Sequence, residues 1–136
     1  MRNVRKFACA IAALTALLMQ PHAALAKFVG TVDGNKPFIV DVRPFNANAG
    51  PTAVTITFID SRGRSDTEVA NVPVQDETPF IGNVRTGAIS KGTRRVIVEI
   101  NNAGGGTCRL RITQGDGFPV LEEEISGDSR FVFDVV

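Results

Sequence analysis

Cysteine and histidine, the usual nucleophile and base of hydrolases, are rare in this chain, and two of the three such residues lie near the N-terminus. The chain contains two cysteines, Cys9 and Cys108, and a single histidine, His22. A catalytic cysteine needs a neighbouring base, usually histidine, to form its thiolate, and a Ser-His-Asp triad needs histidine as well. Because residues 1–26 are predicted to be removed, Cys108 is left with no histidine to activate it. We therefore expect a protein that is not an enzyme.

A Ser-Lys pair could come from Ser90 and Lys91, but adjacent residues on a strand point to opposite faces. Acidic residues are the remaining source of chemistry. Two carboxylates suffice for glycoside hydrolysis, and the chain has 14 acidic residues, but it has no Trp or Tyr against which a sugar could stack. Acidic turns could instead hold calcium, which takes several oxygen ligands, although none matches the EF-hand pattern. We expect no cofactor, with calcium as the alternative. The candidate calcium ligands are Asp33, Asn35, Asp60, Asp66, Asp76, Glu77, Asp116 and Asp128.

The first 26 residues have the three parts of a secretory signal peptide. Three basic residues fall within the first six positions, and the apolar run 7–19 that follows contains 13 residues. A membrane-spanning helix needs about 20 apolar residues, so this run fits a signal peptide better than a span. Ala24 and Ala26 are the small residues that signal peptidase recognises. We predict a signal-peptide helix over 1–26, cleavage after Ala26 and a periplasmic or secreted location, with a retained N-terminal anchor as the alternative.

The predicted mature chain, residues 27–136, has the size of one domain. Its 110 residues are enough for a single core, and the sequence contains no linker or repeat. Loss of three basic residues leaves 12 basic against 14 acidic residues, a net charge of −2. That balance does not favour nucleic acid as a partner, and no apolar run after Lys27 is long enough to span a membrane.

Apolar and polar residues alternate in short segments that are separated by turn residues. Segments 37–43 and 53–60 show this pattern most clearly and are rich in β-branched residues. Further strands are predicted over 28–32, 67–72, 80–85, 93–101, 107–113, 118–125 and 130–135, with Phe38, Phe58, Phe131 and Phe133 facing inward. Pro73 and Pro79 lie next to two of these strands and favour a sheet edge or the start of a strand there. Eight or nine strands with no helical periodicity predict an all-β fold. We expect a single antiparallel β-sandwich, immunoglobulin-like or jelly-roll, with a closed barrel as the alternative.

A first hairpin is predicted around the glycine-rich loop 102–106. Pairing strand 93–101 with strand 107–113 so that Cys108 lies opposite Ile100 gives one wholly apolar face, and a slip by one residue would bury an arginine. We therefore expect Cys108 to be a buried free thiol, with an intermolecular disulfide as the alternative.

The polar face of this hairpin is rich in arginine. The pairing places Glu99 opposite Arg109, and after residue 26 the chain has nine Arg against three Lys. Arginine is favoured in protein–protein interfaces because its planar fork binds carboxylates at two points and stacks. A possible interaction face therefore consists of Arg94, Arg95, Arg109 and Arg111. The alternative is a charged outer sheet that keeps strand edges from aggregating.

A second hairpin is predicted at the C-terminus. Segments 118–125 and 130–135 flank the turn 126–128. The three glutamates at 122–124 interrupt the alternation, which indicates a β-bulge there.

These features favour binding over catalysis. The run 95–102 and the glycines after it resemble the strand pairs of bacterial adhesion-type sandwich modules, a resemblance of fold only. We expect an exported, non-catalytic binding or adhesion-type module that binds an unknown protein or itself. The alternatives are a structural subunit that assembles by strand addition, and a small inhibitor of an extracellular enzyme that presents loop 74–79 or loop 101–106.

Overall fold

The computed structural model describes residues 25–44, 51–73, 83–102 and 106–136, which form two β-sheets and no helix. Their strands are β1 Ala26–Val32, β2 Pro37–Pro44, β3 Thr52–Asp60, β4 Ser65–Val72, β5 Asn83–Ala88, β6 Thr93–Asn102, β7 Thr107–Thr113, β8 Pro119–Ser126 and β9 Ser129–Val135. The all-β prediction is confirmed. Eight of the nine predicted segments agree with these bounds to within two residues at each end, because period-2 alternation is a direct signature of half-buried strands.

The N-terminal prediction falls mostly outside this part of the chain. Of the predicted signal-peptide segment 1–26, residues 1–24 are not described, and its last residue, Ala26, is the first residue of β1, so the predicted cleavage site follows that residue. Within the described ranges, no helix is long and apolar enough to cross a membrane.

The strands form two separate sheets, as in a sandwich, rather than one closed barrel. Sheet A has the strand order β1-β9-β6-β3-β4, and sheet B has the order β5-β2-β7-β8. All neighbours are antiparallel except β1, which runs parallel to β9. The prediction of a purely antiparallel fold is therefore wrong at this edge, where two strands from opposite ends of the chain meet and no tight turn fixes their direction. Strands β4 and β5 are edge strands. Pro73, which directly follows β4, favoured an edge there, whereas Pro79 lies outside the described residues.

The inward-facing residues of both sheets meet in one core. Phe38, Phe58, Phe131 and Phe133 are all buried there, as predicted. The ring of Phe38 makes edge-to-face contacts with Phe133 and Phe58, at centroid distances of 5.7 Å and 6.4 Å. Because Phe38 comes from sheet B and the other two rings from sheet A, these contacts join the sheets.

Both predicted C-terminal hairpins are wrong. Strand β6 pairs with β3 and β9 in sheet A, whereas β7 pairs with β2 and β8 in sheet B. Likewise β8 lies in sheet B and β9 in sheet A. After β6, and again after β8, the chain crosses from one sheet to the other instead of turning back along the same sheet. The irregularity in β8 falls at Val120, between the residues that pair with Thr113 and Ile112, and not at 122–124.

Candidate functional site

The four arginines of the predicted interaction face lie on different sheets. Arg94 and Arg95 belong to β6 in sheet A, whereas Arg109 and Arg111 belong to β7 in sheet B. On sheet A, Nε of Arg95 lies 3.3 Å from Oδ1 of Asp134. The structure thus brings Arg109 and Arg111 together and separates them from the other two.

The predicted partner of Arg109 also lies on the other sheet. Glu99 is directly opposite Thr55 and Arg130 in sheet A, and its Oε1 lies 4.0 Å from Nε of Arg130. The Glu99–Arg109 pair is therefore wrong, since it depended on a hairpin between β6 and β7.

Arg43 of β2 joins Arg109 and Arg111 on the outer face of sheet B. It lies directly opposite Arg109, while Asp41 lies opposite Arg111. On the other side of β7, Glu122 lies opposite Arg111, and its Oε1 accepts a 2.6 Å hydrogen bond from Nη2 of Arg109. We call Arg43, Arg109 and Arg111 the arginine cluster.

Alternation along β2 and β7 explains why these side chains share a face. In β2 the even-numbered residues from Phe38 to Pro44 are buried, and in β7 the even-numbered residues from Cys108 to Ile112 are buried. The odd-numbered residues of both strands therefore point outward. Sequence reasoning missed Arg43 although the alternation of 37–43 already assigned it to the outer face. The missing information was that β2, not β6, is the neighbour of β7.

The arginine cluster carries positive charge that its surroundings compensate unevenly. Arg109 bonds Glu122 and faces Glu124, whereas the described residue opposite Arg43 is Arg109 itself. Like charges directly opposite each other destabilise a sheet. Among the described residues, Nε of Arg43 and Nε of Arg111 are buried and find no hydrogen-bond partner. A depression of ≈ 260 Å³ is lined by the cluster and Glu122. Such a site can take up carboxylate groups, which guanidinium groups bind through two hydrogen bonds.

Within the arginine cluster, Arg111 has a structural role toward Asp41. Burial raises the pKa of the Asp41 carboxyl above its usual range, and the positive charge of Arg111 opposes that rise. Arg111 is therefore occupied in compensating a partly buried carboxylate. Arg109 is bonded to Glu122, so Arg43, which lies directly opposite Arg109 and has no ion pair among the described residues, is the guanidinium group best placed to bind a ligand.

Cys108 is buried on the inner face of β7. Its direct neighbours are Pro44 of β2 and Ile125 of β8, rather than a residue of β6. Burial raises the pKa of the Cys108 thiol, and hydrogen bonds from the side chains of Asn102 and Thr52 offset only part of this rise. The thiolate that a nucleophile requires is thus disfavoured at neutral pH.

Cys108 should therefore resist thiol reagents in the folded protein. We expect iodoacetamide to label it at least about 100-fold more slowly in native buffer than in concentrated urea, since labelling requires the sandwich to open. The rate is measured by intact mass against time. Rapid native labelling, or a Cys108-dependent dimer on a non-reducing gel, would show an accessible thiol and contradict the prediction.

Three of the candidate calcium ligands in the described ranges bond their own backbone. Asp33, Asp60 and Asp116 each accept hydrogen bonds through Oδ1 from backbone N–H groups two to four residues further along, at 2.9–3.3 Å. Aspartate commonly has this role in turns. Asp76 and Glu77 lie outside the described residues. In the part that is described, no group of three His, Cys, Asp or Glu side chains is placed to hold a metal ion.

Fold and site together define a two-sheet all-β protein with an arginine cluster on one outer face. Comparison of the chain with protein-family models, with curated proteins and with solved structures found no match.

Proposed function

We propose that residues 27–136 form an exported, non-catalytic binding module, periplasmic or secreted, that holds acidic side chains of a protein partner on the arginine cluster. The observation that carries this proposal is the direct opposition of Arg43 and Arg109. Two guanidinium groups on neighbouring strands repel each other unless an anion lies between them. A carboxylate of the partner that pairs with the Arg43 guanidinium relieves that repulsion.

The environment of Cys108 supports binding over catalysis. The thiol is inaccessible and its pKa is raised, and the sequence from Lys27 onward contains no histidine to activate a serine or cysteine. A non-catalytic role is consistent with both observations.

We also propose an immunoglobulin-like arrangement for sheet A. In this sheet β9, the last strand of the chain, lies beside β6, which pairs with β3, and β3 pairs with β4. The order β9-β6-β3-β4 is similar to the G-F-C-C′ order of variable-type immunoglobulin sheets. Sheet B departs from that pattern, since β7 and β8 come between β6 and β9 in the chain.

The proposed function is tested by measuring how tightly an acidic peptide binds before and after the charges of Arg43 and Arg109 are removed. The protein is isolated in the form that remains after processing in the cell, and its intact mass gives the cleavage site. We expect a hexaglutamate peptide to bind at low salt and the Arg43→Gln/Arg109→Gln variant to bind about tenfold more weakly, because two charge-assisted hydrogen bonds are lost. Amide chemical-shift titration measures the affinity and shows whether the shifts fall on β2 and β7.

The matched control is Arg62→Gln/Arg64→Gln, which removes the same charge from two exposed arginines in the turn between β3 and β4. This control should bind as tightly as the unsubstituted protein. An equal loss of affinity in both variants would indicate a general charge effect, and a peptide that fails to bind the unsubstituted protein would remove the basis of the proposal.

Two alternatives from the sequence stay predictions. The inhibitor would present loop 74–79, which lies outside the described residues, or loop 101–106, of which 103–105 lie outside them. The self-assembling subunit needs an open strand edge, and the described residues include one.

A further inference from the structure

Among the described strands, four form the edges of the two sheets: β1, β4, β5 and β8. Two of them, β1 and β8, carry features that oppose pairing with a further strand. Strand β1 has a register shift between Phe28 and Gly30. Strand β8 begins with a proline, has a register shift at Val120 and carries three consecutive glutamates, Glu122–Glu124. Bulges, prolines and charges of this kind oppose pairing with a further strand.

Arg85 protects the edge at β5. Its guanidinium group donates hydrogen bonds to the backbone oxygens of Gly87 and Ala88 in β5 at 3.0 Å and 2.9 Å, and to that of Phe38 in β2 at 2.8 Å. Its Nε also bonds Oε2 of Glu68 in β4 at 2.9 Å. A strand that added to β5 would have to compete with Arg85 for these carbonyl groups. At β4, by contrast, the bond between Arg85 and Glu68 helps to hold the strand in place.

Strand β4 has neither a bulge nor a proline, and of its two acidic residues, Asp66 and Glu68, the second is bonded to Arg85. It pairs with β3 over eight consecutive residues, Ser65–Val72, with no register shift, and it contains no proline. Its side chains from Ser65 to Val69 are all exposed, and Val69 is 67% exposed. In the described part of the chain, no strand lies on the far side of β4. A long strand edge with an unbroken register and no described strand beside it is a template for strand addition.

We propose that β4 pairs antiparallel with β4 of a second copy of this chain, in a register centred on Val69. A two-fold axis perpendicular to the sheet makes the outer face of one copy continuous with that of the other. Opposed residues then lie on the same face, so their numbers must differ by an even amount, and the axis must pass between the two copies of one residue. The two centres with the largest overlap are therefore residues 68 and 69.

Charge selects between these two centres. A centre at Glu68 would place two glutamates directly opposite each other, which destabilises a sheet. With the centre at Val69, Glu68 faces Ala70 of the second copy and Asp66 faces Val72, so no acid opposes an acid. The exposed Val69 side chains then pack against each other as a β-branched pair across the axis.

The assembly expected from this geometry is a closed dimer. The contact uses the same edge on both copies, so it is complete after two chains and does not continue into a fibre. The two five-stranded sheets A become one ten-stranded sheet.

Register-specific disulfide formation tests the proposal. Val69→Cys places two thiols opposite each other with Cβ atoms about 4.5–5.5 Å apart, within reach of a disulfide after small adjustments. Under mild oxidation we expect most of this variant to run as a dimer on a non-reducing gel. Thr67→Cys is the matched control: it is exposed on the same face of β4, but its two copies would lie four residues apart, about 13 Å. It should run as a monomer on the non-reducing gel.

A double variant and the unsubstituted chain complete the test. Thr67→Cys/Asn71→Cys should cross-link, because residue 67 faces residue 71 of the second copy in this register. The unsubstituted chain should show a concentration-dependent dimer by sedimentation. Equal cross-linking of Val69→Cys and Thr67→Cys would indicate random collision and overturn the register. A strict monomer without cross-links, or capture of a different protein by the Val69→Cys variant, would overturn pairing with a second copy.

Discussion

Replacing Phe38 with alanine should lower the free energy of unfolding by about 3–5 kcal/mol. The side chain is 0% exposed, and it is the ring of sheet B that contacts both Phe58 and Phe133 of sheet A. Its removal leaves a cavity between the two sheets, which the flanking strands cannot close without breaking their ladders. Since domains of this size have total stabilities of about 5–15 kcal/mol, much of the variant should be unfolded at 37 °C.

The measurement is urea unfolding followed by far-ultraviolet circular dichroism, because the chain has no Trp or Tyr to report by fluorescence. Phe118→Ala is the matched control, since the same side chain is 79% exposed there. It should change the free energy of unfolding by less than about 0.5 kcal/mol. If the two variants were equally stable, Phe38 would not occupy the junction between the sheets.

Residue alternation was sufficient to predict the strands and the side chains that they bury. In β2 and β3 every second residue is apolar, and Phe38 and Phe58 are buried where this pattern places them. This agreement has a local cause: the period of two belongs to the extended backbone itself and does not depend on which strand lies alongside.

The same pattern could not identify the neighbour of each strand. The inward residues of β6 and β7 face each other across the core, whereas in a hairpin they would lie side by side, and both arrangements bury the same residues. The glycine-rich connection allows either path. Strand pairing in this fold depends on contacts between distant segments, such as β2 with β7. The alternation within one segment does not predict those contacts.

The arginine cluster shows the consequence for the site. Arg109 and Arg111 follow from alternation within β7, but Arg43 lies more than 60 positions earlier in the chain and reaches them only because β2 pairs with β7. Conversely, Arg94 and Arg95 were added by a hairpin that does not form. The residues of the site were thus predictable one strand at a time, and their grouping was not.

Asn102 is the local signal that argues against the first hairpin. It ends β6 at an inward position and is 6% exposed. Its Nδ2 donates to the backbone oxygens of Gly127 and Ile125 at 2.8 Å and 3.3 Å, and its Oδ1 accepts a 2.6 Å hydrogen bond from Oγ1 of Thr52. One amide thus links β6 to β3 in its own sheet and to the end of β8 in the other, at the point where the chain changes sheets. A polar residue at a core position of an otherwise apolar strand indicates such a fixed crossing, because a buried amide needs partners.

Replacing Asn102 with alanine should therefore cost about 3 kcal/mol of unfolding free energy, since the Thr52 hydroxyl and the Gly127 carbonyl lose a buried partner. The adjacent Asn101→Ala is the matched control: the same substitution is made one residue earlier, where the side chain is exposed, and it should cost less than about 0.5 kcal/mol. Urea unfolding gives both values. Amide hydrogen exchange adds a readout of position, because loss of the link should speed exchange in the last residues of β8 and at Gly127 more than in β2. If Asn102→Ala unfolded like Asn101→Ala, with no local change in exchange, Asn102 would not hold the crossing, and the glycine-rich loop alone would have to direct the chain from one sheet to the other.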